Sequence, residues 1–77
     1  MRTIKIYKRE NNEMVEMGSA TTAHLAISNV CARLGVQPKD LQIDIKAVSL
    51  ARTRMDIYFT NQKITKCQPI AQLIYYV

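Results

Sequence analysis

Apolar and polar residues alternate from Thr3 to Arg9, with Ile4 and Ile6 on one side and Lys5, Tyr7 and Arg9 on the other. A period of two predicts a half-buried strand. Asn11-Asn12 follows, and asparagine tolerates the left-handed conformation of a tight hairpin turn. The chain is therefore expected to return through Glu13–Gly18, where Met14 and Met17 are the apolar contributions to a weak edge strand.

The period then changes. Ala23, Ile27, Val30 and Leu34 recur along one face of a helix, and Ser19, Thr21 or Thr22 can cap its start. Gly35 fits the residue after the last turn, Val36 the contact beyond it, and Pro38 blocks continuation. Propensity, period and both ends agree on a helix over about residues 21–34.

Alternation resumes at Leu41, Ile43 and Ile45, and again at Met55, Ile57 and Phe59, which predicts two amphipathic strands. Leu41, Ile45 and Val48 also fit a helical stripe, and 47–53 holds no glycine, proline or asparagine to mark a tight turn. Asn61-Gln62 is the next turn candidate, leading into Lys63–Cys67. The end of the chain, 69–77, reads as a short helix with Pro69 in its first turn or as a strand apolar on both faces. Its isoleucine, tyrosine and valine content favours the strand. Such a strand left open invites aggregation, so it must be central, covered on both sides or paired across a homodimer through 69–77. The pattern as a whole predicts an α+β fold, one helix packed across a mostly antiparallel sheet of four to five strands.

Length and charge narrow the setting. The chain has 77 residues, enough for a single domain over 1–77 with a thin core. It opens on a strand pattern and not on an apolar leader, and no segment reaches the roughly 20 apolar residues of a membrane span, which points to the cytoplasm and away from membranes. The formal charge of +5 is spread along the chain and favours nucleic acid, a ribonucleoprotein or an acidic protein as partner.

Candidate chemistry is sparse. Cys31 and Cys67 lie far apart, and with His24 as the one histidine they make no zinc pattern; two buried thiols are expected, and neither metal nor cofactor. His24 beside Thr21, Thr22 and Ser28 lacks every other mark of a catalytic site. The carboxylates Glu10, Glu13, Glu16, Asp40, Asp44 and Asp56 show no general acid–base pairing, and Gly18 and Gly35 cannot build a phosphate loop. The expectation is a protein that is not an enzyme.

Contact surfaces are better represented. Lys5, Tyr7 and Arg9 share one strand face, and Arg54, Asp56, Tyr58 and Thr60 share another, a pattern that interleaves cations with rings as single-strand nucleic-acid platforms do. On the helix, Leu25, Ser28, Asn29 and Ala32 oppose the core stripe, and Arg33 is the only formal charge between Ala23 and Leu34. A small neutral face lets another backbone approach. The leading expectation is a non-catalytic binding protein that docks on a protein or ribonucleoprotein through Leu25 and Asn29, with Lys5, Arg9, Arg54 and Tyr58 on the sheet. A basic nucleic-acid-binding domain is the alternative. By size class, such chains are common among phage and mobile-element products, including inhibitors of host defence complexes.

Overall fold

The computed structural model describes residues 3–49 and 52–76. Strands β1 (Thr3–Glu10) and β2 (Glu13–Ala20) form the first hairpin, followed by helix α1 (Ala23–Leu34) and a 3-10 turn, Pro38–Asp40. Strands β3 (Leu41–Ser49), β4 (Arg52–Phe59) and β5 (Ala71–Tyr76) complete one antiparallel sheet in the order β2-β1-β5-β4-β3. This is the α+β arrangement that the pattern predicts, with five strands.

Local signals place the elements. Asn11 and Asn12 both take positive φ, 50° and 67°, which sets the twist of the hairpin turn to match its strands. The Thr22 hydroxyl accepts from the Leu25 N–H at 3.2 Å and caps α1. Gly35 ends it at φ 69°, and the Val36 N–H donates to the Cys31 carbonyl at 3.1 Å, the long bond of a Schellman ending. Within β2 an extra residue lies opposite Ile6, where the register passes from Gly18 to Glu16, so Met17 turns back to the core. Strand alternation alone would have put Met14 and Met17 on opposite faces; the bulge decides which one packs.

The core lies between α1 and the sheet. Ile4, Ile6, Ile57, Ala71 and Leu73 meet Ala26 and Val30 of the helix, all of them at or near complete burial. Ala23, Ile27 and Leu34, the rest of the predicted stripe, are half-buried along its flank. Cys31 is also buried, while Cys67 is only half-buried; both are free thiols, so the expectation of two buried cysteines holds for one.

Four readings of the pattern are sharpened. The stretch from Leu41 is strand, as its alternation predicts, and β3 and β4 extend into 47–53, one running to Ser49 and the other starting at Arg52. The second strand runs past Gly18 to Ala20, because the bulge lets Ala20 pair with Ile4. Lys63–Cys67 forms one helical turn, its Cys67 N–H donating to the Lys63 carbonyl at 2.9 Å. Finally, β5 is central, one of the arrangements expected of it: β1 and β4 pair with both of its edges over Ala71–Tyr76, so neither edge is open there to the strand of a second copy. Val77 lies outside the described residues.

Candidate interaction surfaces

One face of the sheet is under the helix and the other is open. Register puts Lys5, Tyr7 and Arg9 of β1, Gln72, Ile74 and Tyr76 of β5, Arg52, Arg54, Asp56 and Tyr58 of β4, and Asp44 and Lys46 of β3 on the open face. The six predicted contact residues therefore divide. Lys5, Arg9, Arg54 and Tyr58 lie on the open face, while Leu25 and Asn29 belong to a helix on the other side of the sheet. They cannot form one continuous site, because strand alternation sends the two sets to opposite surfaces.

The open face is polar but largely self-satisfied. Lys5 Nζ lies 3.5 Å from Glu16 Oε1 and 5.7 Å from the centre of the Tyr76 ring. The Glu16 carboxylate holds the Lys5 ammonium above its ordinary pKa. Lys46 Nζ stands 3.1 Å from Asp44 Oδ2. Arg54 Nε is 3.1 Å from Asp56 Oδ1 but off the line of its N–H, while Arg54 Nη2 donates to Asp56 Oδ2 at 3.5 Å. Gln72 Nε2 donates to the same carboxylate at 3.1 Å. Arg9 is turned to the chain itself, its Nε donating to the Pro69 carbonyl at 2.8 Å. A phosphate backbone would have to displace these partners one by one, which works against a cationic platform.

Tyr58 is the clearest departure from expectation. It is 4% exposed although it sits on the open face. The connection from β4 to β5 is tied down on either side of it, at Arg9 as above and where Gln42 Nε2 donates to the Gln62 carbonyl at 2.7 Å. Tyr58 stands in the row between those anchors, and a ring this deeply buried offers no stacking surface. A pattern of two cannot reveal this, since it fixes the face a residue takes and not what lies over that face.

Burial also sets how Tyr58 responds to pH. Desolvation pushes its phenol above the ordinary value, and the Asp56 and Asp44 carboxylates add to the shift. Folding thus favours the protonated phenol. Its contribution is complete below the unfolded value of about 10 and is lost as pH rises through the higher folded value. Thermal melts of wild type should fall in Tm above that pH, whereas Tyr58→Phe should fall less steeply. Parallel alkaline limbs for the two proteins would remove Tyr58 as the cause.

On the helix, Leu25 is 53% exposed, with His24, Ser28, Ala32 and Arg33 exposed around it. Asn29 is not part of that surface. It is half-buried beside Ala26 and Val30, and its Oδ1 is enclosed without a hydrogen-bond partner among the described residues. Exposed apolar surface that sequence reasoning missed lies on β3. Ile43 and Ile45 face the helix side yet are 38% and 67% exposed. The helix lies against β1, β2 and the 3-10 turn, which leaves that corner of the sheet uncovered. Alternation marked both isoleucines as apolar-face residues, but only the strand order shows that the helix does not reach them.

No pocket opens among the described residues, and no three histidine, cysteine or acidic side chains among them gather as a metal site. No helix among them is long and apolar enough to cross a membrane. Compared with protein-family models, curated proteins and solved structures, the chain matches none.

Proposed function

We propose that this chain is a non-catalytic binding domain that docks on a protein partner through the outer face of α1. The observation that carries the reading is Leu25, more than half exposed on a helix face where Ser28 and Ala32 add small uncharged neighbours and Arg33 the only formal charge. Water solvates a charged helix face at little cost, whereas an apolar one gains by being covered. The reading extends to a protein or ribonucleoprotein target that is blocked or adapted by occupancy alone, as an inhibitor of a host defence complex would act. Direct nucleic-acid binding is the weaker alternative, because Tyr58 is buried and Lys5, Lys46 and Arg54 each face a carboxylate of the same chain.

The test compares wild type with Leu25→Asp. Burying one leucine contributes roughly 2 kcal/mol, so a partner captured by wild type and then purified should bind the variant about 30-fold more weakly. Leu25 is exposed, so the fold should be unaffected by circular dichroism. Equal affinity for the two proteins would remove this face. Oligonucleotide mobility shifts at two salt concentrations test the alternative, whose affinity must fall steeply as counterions are released.

A further inference from the structure

The sheet has two edges, and they differ. β2 carries the bulge at Met17–Gly18 and the acidic Glu13 and Glu16, devices that discourage a further strand. β3 pairs regularly with β4 from Leu41 to Ala47, with no proline on its free side. Its backbone phase can be read directly. The Thr60 N–H donates to the Asp40 carbonyl at 2.9 Å, so hydrogen-bonded pairs alternate from there and Gln42, Asp44 and Lys46 direct their backbone groups to β4. Leu41, Ile43 and Ile45 direct theirs outward. Ile57, the neighbour of Ile43 on β4, agrees: its carbonyl accepts from the Ile70 N–H at 2.8 Å, on the β5 side.

The charges on this edge carry a second signal. Across β3 and β4, Asp44 stands directly opposite Asp56, and Lys46 directly opposite Arg54. Like charges in direct opposition weaken a strand pair. The ion pairs Asp44–Lys46 and Arg54–Asp56 run along single strands instead. Exchanging Asp44 and Lys46 would improve the match to β4, so the order present does not serve the sheet of one chain. It does serve a second copy. In an antiparallel pair centred on Ile45, Asp44 of each chain faces Lys46 of the other at both symmetric positions.

We propose that β3 pairs with β3 of a second copy of this chain, antiparallel and centred on Ile45. Ile45 then exchanges its N–H and carbonyl with its own counterpart, and Ile43 does so with Ala47 of the other chain. The two sheets become continuous, and the dyad runs perpendicular to them. The exposed isoleucines meet on the helix side, covering the corner that α1 leaves open. Both helices lie on that same side, so the dimer presents two Leu25 faces together and can engage a repeated or symmetric target bivalently.

Charge variants test the pairing apart from the function assigned to Leu25. Asp44→Lys sets Lys against Lys46 at both contacts, and Lys46→Asp sets Asp against Asp44. Each substitution relieves a like-charge contact with β4, so both variants should fold. Sedimentation equilibrium from micromolar to millimolar concentration should show wild type reversibly dimerising and each variant associating about 30-fold more weakly. An equimolar mixture of the two variants should restore the dimer, because every contact is then opposite in charge. Ile45→Lys should abolish association. A wild type that stays monomeric throughout, or a mixture no more associated than its components, would overturn the proposal. Neither result depends on whether Leu25 binds a partner.

Discussion

Leu73→Ala is expected to remove about 3 kcal/mol of folding stability. Leu73 is fully buried in the central strand, with Ile6 opposite it on β1 and Met55 opposite it on β4. Removing its branched carbons forfeits their transfer out of water, and the cavity left behind cannot collapse because both neighbours are held by backbone ladders. A domain of 77 residues has about 4–12 kcal/mol in total, so the loss is a large share. Urea unfolding should show a much lower midpoint with an unchanged slope. Val15→Ala provides the contrast, since Val15 is 41% exposed on the edge strand and should cost less than about 0.5 kcal/mol. Equal costs at the two sites would mean that β5 does not occupy the centre of the core.

That centrality was partly legible from the chain alone. Residues 70–77 are too apolar to lie at an open edge, and the structure answers by placing β5 between β1 and β4. The helix was more legible still, because Thr22, the stripe from Ala23 to Leu34 and Gly35 all act within a few residues of one another. Surfaces were harder to read for the same reason in reverse. Tyr58 and Ile45 have similar local alternation, yet one is buried and the other 67% exposed. Tyr58 is buried on a face that is otherwise open, and Ile45 is left bare by a helix that lies over β1 and β2. Both outcomes depend on contacts distant in sequence, which a period of two does not encode. Asn29 shows the limit on the helix, where a position one step from the core stripe is drawn half inside.

Arg54→Met should destabilise the fold by about 2 kcal/mol, more than a surface ion pair contributes. The reason lies in the asymmetry of its partner. The Asp56 side chain is 6% exposed and the Arg54 side chain 38%, so the carboxylate depends on its neighbours while the guanidinium still meets water. Breaking a fully buried pair costs about 3–5 kcal/mol, and screening at the exposed arginine reduces that figure. Without Arg54, Asp56 keeps only the Gln72 amide among the described residues and faces the Asp44 carboxylate directly across the strand pair. Replacing both residues removes the stranded charge together with its partner. Arg54→Met combined with Asp56→Leu should therefore recover most of the loss, giving a coupling of about 2 kcal/mol in a double-mutant cycle. If the single costs simply add, Asp56 is solvated by other means and the pair contributes nothing beyond its separate parts.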